Sequence, residues 1–193
     1  MALFKTSDAG VVRTLDPAYY TSEAIYEQEC AGLFMRTWQY AGHSSQAPNP
    51  GDYFTFEIAG QQLFCIRDDQ GKLNSFYNVC QHRAHELVQG SGSCTKLIIC
   101  PYHAWSYRLD GQFFKGPNTD SVPGFSGEEI SLSKVRTEAF CGFLFVNLDD
   151  AAAPIETWYP DVEQELYAYV PDIDALEPLE SIQVPEKCNW KVS

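Results

Sequence analysis

The sequence predicts a mainly β protein, an antiparallel β-sandwich or small barrel with flanking helices. Three observations carry this. Short runs rich in aromatic and β-branched residues recur between turn signals from Tyr53 onward. Aromatic residues make up 14% of the chain, and 13 glycines and 11 prolines supply many turns. Helical periodicity is confined to the stretches 22 to 34 and 155 to 170.

The elements follow in order. Thr21 and Ser22 form a capping pair for a helix from Ser22 to Phe34, with Tyr26, Cys30, Leu33 and Phe34 on one face. Trp38 to His43 reads as the first strand. Tyr53 to Ile58, Leu63 to Arg67 and Leu73 to Asn78 follow, separated by Ala59-Gly60 and by Asp68-Asp69-Gln70-Gly71. Gly90-Ser91-Gly92-Ser93 reads as a turn leading to a short strand, Lys96 to Ile99. Trp105 to Arg108 and Gln112 to Phe114 form a hairpin about Asp110-Gly111. Residues 115 to 131 form a long loop, and Lys134 to Phe140 pairs with Phe143 to Leu148 about Gly142. Beyond Asp149 to Pro154, residues 155 to 170 read as a helix or helix-turn segment, and Leu176 to Val184 as a strand of a further unit. The organisation expected is an N-terminal helical arm at 1–37, a central domain at 38–150, and a linker with the start of another domain at 151–193.

At 193 residues and 45% hydrophobic content, the chain can bury a real core. A net charge of −13 argues against a nucleic-acid partner, which requires clustered Lys and Arg. No stretch approaches the roughly 18 apolar residues of a membrane span, and Met1 to Lys5 leads into polar chain without an apolar signal region. The expectation is a cytoplasmic protein without a membrane partner. Cys30, Cys65, Cys94, Cys141 and Cys188 then read as reduced thiols, mostly small core residues.

The remaining cysteines carry the chemistry. Cys80-Gln81-His82 is followed, after the 17 residues 83–99, by Cys100-Pro101-Tyr102-His103. A Rieske-type 2Fe-2S centre places two thiolates on one iron and two imidazoles on the other. Each of two loops must therefore supply one Cys and one His, as Cys80/His82 and Cys100/His103 do. Zinc also accepts two Cys and two His, but zinc modules usually open with a Cys pair and close with a His pair. A zinc-stabilised interaction module is the competing reading of these four residues.

The two segments resemble the Rieske domain of ring-hydroxylating, or Rieske non-haem iron, oxygenase large subunits. Asn78 to Leu87 is similar to the family's first cluster loop, and Cys100 to Tyr107 to its second, followed by Leu109-Asp110-Gly111. One departure is Gln81, where many members carry Pro; a residue other than Pro adds a main-chain donor there. His85 and Tyr102 stand where high-potential Rieske proteins carry a disulfide, and Trp105 where they carry a Ser that donates to a cluster sulfur. The resemblance therefore implies few hydrogen bonds to sulfur and a potential near the low end of the Rieske range, about −150 mV. Trp105 is expected to cover the cluster, Tyr102 to shield it, and Arg83 with His85 to line the first loop toward a neighbouring subunit.

The family pattern further implies an oxygenase in which a reductase or ferredoxin supplies electrons. The cluster would pass them to a mononuclear iron, by way of His82 or, preferably, His103, in the adjacent subunit's catalytic domain of a homotrimer. That Fe(II), held by two His and a carboxylate, is expected only in a catalytic domain absent from this sequence. Cys188-Asn189-Trp190-Lys191-Val192 resembles the opening of that domain, and the spare His43 and His85 form no ligand pair. The chain thus reads as an N-terminal portion, with no catalytic residue of its own. The loops look most like members acting on quaternary ammonium compounds, with aromatic-ring hydroxylases second. A stand-alone Rieske ferredoxin is the alternative, against which stand the long flanks.

Overall fold

The computed structural model describes residues 14–180, 182 and 184–192. Among the described residues, ten strands form two antiparallel sheets: β1 (Gln39–His43), β2 (Asp52–Ile58), β3 (Gln61–Arg67), β4 (Leu73–Tyr77), β5 (Ser91–Ser93), β6 (Leu97–Ile99), β7 (Ser106–Arg108), β8 (Phe113–Lys115), β9 (Lys134–Phe140) and β10 (Phe143–Asn147). The larger sheet runs β1-β10-β9-β4-β3-β2-β5, and the smaller β6-β7-β8.

Two hairpins of the larger sheet turn on two-residue loops in which both residues have positive φ. These are Ala59 and Gly60, between Ile58 and its partner Gln61, and Cys141 and Gly142, between Phe140 and its partner Phe143. Such turns match the right-handed twist of the strands they join.

The sheets meet over a core of Phe64, Ile66 and Phe76 from β3 and β4 with Ile98, Tyr107 and Phe113 from the smaller sheet and Leu109 from the turn between β7 and β8. Burying a side chain of this size contributes about 1.5–3 kcal/mol. Gly111, at the tip of the β7-β8 hairpin, has φ +91° and lies so close to the Phe76 ring that a Cβ would collide with it. Only glycine lets this hairpin seat against the larger sheet, and that seating brings the two cysteine loops to one end of the core.

Several sequence expectations are corrected. The first helix divides into α1 (Ala18–Thr21), α2 (Glu23–Glu29) and a π-helical turn at Cys30–Phe34, in which Met35 N–H reaches back to Cys30 O at 3.0 Å. Ser22 occupies the N-cap of α2 without a side-chain capping bond. Asp16 instead accepts from Ala18 N–H at 2.9 Å, and Thr21 Oγ1 donates to Pro17 O at 3.1 Å. Ser91 to Ser93, read as part of a turn, is a strand on the edge of the larger sheet paired with β2. The 155–170 segment is two helices, α3 (Ile155–Trp158) and α4 (Val162–Tyr169). No strand forms among the described residues of 176–184; positions 181 and 183, like residues 1–13 of the expected arm, lie outside the described set. Of the five thiols expected to be mostly core residues, Cys65 and Cys141 are buried, Cys30 and Cys94 half-buried, and Cys188 exposed. The chain's two flanks pack on each other: Trp190 meets Phe34 edge-on at 5.2 Å, and Lys191 pairs with Glu29 at 2.6 Å.

Candidate metal centre

The two Cys/His loops have the same main-chain construction. In the first, Cys80 N–H donates to His85 O at 2.8 Å and Ala84 N–H to Cys80 O at 2.9 Å. In the second, Cys100 N–H donates to Trp105 O at 2.8 Å and Ala104 N–H to Cys100 O at 3.0 Å. Ala84 and Ala104, each four residues after its cysteine, have φ of +56° and +54°. The left-handed conformation costs an L-residue about 1–2 kcal/mol, and both loops accept that cost to close.

The four donors come together at the tips. Cys80 and Cys100 are each 2% exposed and belong to the same buried core cluster. His82 and His103 stand side by side, ring centroids 4.9 Å apart and planes at 71°. The Nδ1 atoms of both rings are buried and have no hydrogen-bond partner. A buried polar atom without a partner costs about 1–3 kcal/mol, so two adjacent ones point to a missing acceptor of their lone pairs. No three His, Cys, Asp or Glu side chains among the described residues converge on a single ion. The donors divide instead into a thiol pair and an imidazole pair. That division suits a two-iron cluster, with one pair for each iron, and not a one-ion zinc tetrahedron.

Aromatic rings surround the imidazoles. Trp105 stacks on His82 at 4.8 Å with the planes 9° apart, and it also packs against Phe113 at 4.8 Å. Tyr102, more than half exposed, lies over His103 at 3.7 Å and beside His85 at 5.3 Å. Its ring thus covers the His103 imidazole. Arg83 and His85 are exposed at the first loop. His43 is far from this role: it is buried at the end of β1, with Nδ1 bonded to Ser45.

The expectation of sulfur atoms poor in hydrogen bonds needs amendment. Tyr107, fully buried on β7, places its phenol 3.2 Å from Cys80 Sγ and accepts from Gln81 N–H at 3.0 Å. Since that N–H occupies a lone pair of the phenol oxygen, the phenol proton is free to point at the sulfur. Sequence reasoning missed this residue. Strand alternation could have found it, because Trp105 and Tyr107 are two apart and so share a face.

Burial pushes the Cys80 thiol up, while the Tyr107 bond pulls it down. The Tyr107 phenol is raised strongly, by burial first and then by its bond to Cys80. Desolvation, followed by the neighbouring His82, Arg83 and His85, lowers His103. Both directions favour the neutral forms of Cys80 and His103, and loading metal must release thiol protons.

The model of the Rieske [2Fe-2S] domain matches residues 37–126. The chain is 36% identical over 182 residues to the carnitine monooxygenase oxygenase subunit of Acinetobacter baumannii, covering 94% of this chain and 49% of that protein. It is 34% identical to the chloroplastic choline monooxygenase of Beta vulgaris, covering 90% of this chain and 40% of that one. Among solved structures, a quaternary ammonium Rieske monooxygenase described in terms of carnitine oxidation and inter-subunit electron transfer superimposes with a TM-score of 0.87 at 35% identity, over 91% of this chain and 48% of its own. The chain thus spans about half the length of the relatives it matches.

Proposed function

We propose, from the premise that this chain belongs to the Rieske non-haem iron oxygenase family of large subunits, that it relays electrons within such an oxygenase. The observation that carries the reading is the pair of buried, unpartnered Nδ1 atoms of His82 and His103, on the same two loops as the buried Cys80 and Cys100. Cys80 and Cys100 hold one iron and His82 and His103 the other. When bound, a cluster so ligated accepts and returns one electron at a time. Tyr107 donates to the Cys80 sulfur, Trp105 keeps water from one face of His82, and Tyr102 covers His103.

The cluster-bearing unit is 38–150, between an arm at 1–37 and a linker at 151–193. The two half-exposed imidazoles are the exit for electrons, and His103, flanked by Arg83 and Tyr102, is the preferred bridge to an adjacent subunit's catalytic domain. A reductase or ferredoxin is the donor, a trimer the working assembly and the cytoplasm the setting; no described helix is long and apolar enough to cross a membrane. Similarity to carnitine and choline monooxygenases supports monooxygenation of a quaternary ammonium compound as the reaction served. The match to an oxygenase subunit over 94% of the chain, well beyond the cluster loops, disfavours a stand-alone ferredoxin.

Ligand variants test the reading. Cys80→Ser and Cys100→Ser should abolish the visible iron-sulfur spectrum, because hard alkoxide replaces thiolate poorly on iron. Cys30→Ser, Cys65→Ser and Cys141→Ser should keep it. Bleaching by one of these three in a folded protein would overturn the ligand assignment.

A further inference from the structure

The two cluster loops are built alike but anchored differently. The second is gripped at its mouth by a strand ladder, since Ile99 before it pairs with Ser106 after it across β6 and β7. The first has no such ladder. Tyr77 ends β4, and the chain leaving the loop at Leu87 and Val88 belongs to no strand.

A single carboxamide occupies the gap. Asn78 is 2% exposed and sits two residues before Cys80, its own N–H fixed to Gln62 O on β3 at 2.9 Å. Its Oδ1 accepts from Leu87 N–H at 3.0 Å and Val88 N–H at 3.1 Å, while its Nδ2 donates to Val88 O at 2.7 Å. Neither of those N–H groups has a main-chain acceptor, and both residues are buried. The side chain thus gives the main chain at Leu87 and Val88 two acceptor bonds and one donor bond, the pattern a neighbouring strand would have presented, and its Nδ2 makes a longer bond of 3.4 Å to Glu86 Oε1. Only an amide of this length offers both functions there.

We propose that Asn78 is a positioning residue for the iron-sulfur centre: it closes the first cluster loop in place of a strand ladder and so fixes His82 opposite His103. The inference rests on the cluster reading above and deepens it. The loop between the clamp and its partners holds only Cys80 and His82 as ligands. Loosening its mouth moves these two relative to Cys100 and His103, which the second loop keeps in place.

The test compares the iron-loaded wild type with Asn78→Ala, Asn78→Asp and Asn74→Ala. Asn74 is an equally buried asparagine of the same sheet, and its amide bonds Asp68 instead of the cluster loop. Cluster loss to an iron chelator is followed by visible absorbance, with the EPR line shape of the reduced state and the thermal midpoint measured alongside. Loss of an outer-shell partner of a metal site typically costs roughly 10–100-fold in metal affinity, so Asn78→Ala should lose its cluster faster by that order and show a broadened EPR signal. Asn78→Asp keeps the acceptor but sets a second oxygen against Val88 O, and should be intermediate. Asn74→Ala should lose its cluster at the wild-type rate even where its thermal midpoint falls. Equal acceleration in Asn74→Ala, or an Asn78→Ala protein with wild-type rate and line shape, would overturn the proposal. If Asn78→Ala does not fold, Asn78→Asp decides by the same criteria. A wild type without any iron-sulfur signal would instead defeat the underlying cluster reading.

Discussion

The phenol of Tyr107 lies 3.2 Å from the sulfur of Cys80, with the Gln81 main-chain N–H on its other side at 3.0 Å. Reduction makes the cluster more negative, so a donor at a ligand sulfur stabilises the reduced form and raises the potential. Tyr107→Phe removes that donor with almost no change in volume. A hydrogen bond contributes about 0.5–1.5 kcal/mol and a one-electron couple moves about 59 mV per 1.4 kcal/mol, so the midpoint should fall by roughly 20–60 mV. Protein-film voltammetry reads this directly, and an unchanged or higher midpoint would remove Tyr107 from the account.

The same bond makes Gln81 a backbone position of consequence. Gln81→Pro deletes the N–H that orients the phenol and should lower the midpoint in the same direction as Tyr107→Phe, by less. Gln81→Ala keeps the N–H and should leave the potential unchanged. A shift in the alanine variant as large as in the proline variant would mean that the side chain, not the main chain, acts.

Ala84 and Ala104 hold left-handed conformations that glycine adopts freely. Ala84→Gly or Ala104→Gly should each stabilise the protein by about 1 kcal/mol. Thermal or denaturant unfolding of the loaded protein checks this; a lower midpoint in both variants would show that the loops rely on the alanine methyls for packing.

The contact between the flanks should depend on pH. Glu29 has its carboxyl lowered, first by the bond from Lys191 and also by that from Trp190 Nε1 at 2.9 Å. A lowered acid contributes stability that is fully present above the unfolded Glu value, about 4.3, and is lost as pH falls through the folded value below it. The Trp190 indole N–H resonance should therefore shift only below that pH in the wild type, and should not titrate in Glu29→Gln. A transition above pH 5 would contradict this.

What the sequence disclosed and what it hid divide by range. Each ligand pair lies within four residues on one loop, so Cys80/His82 and Cys100/His103 are legible as local spacing. The strands from Gln39 to Tyr77 and the hairpins at Gly111 and Gly142 follow from local alternation and turn residues. Contacts made across the fold were not legible. Ser91-Gly92-Ser93 has turn composition and becomes a strand because β2 is its neighbour. Gly92 serves there because a Cβ would meet the Tyr53 hydroxyl at 2.8 Å. The bond from Tyr107 to Cys80 spans 27 residues, and the clamp of Asn78 on Leu87 and Val88 depends on tertiary closure of the loop.

The central claim is that Cys80, His82, Cys100 and His103 hold a two-iron cluster. Metal and sulfide analysis of anaerobically purified protein, with EPR of the dithionite-reduced sample, tests it most directly. Two irons and two acid-labile sulfides per chain are expected, with a rhombic signal of low average g caused by imidazole ligation of one iron. Stoichiometric zinc without sulfide would contradict it.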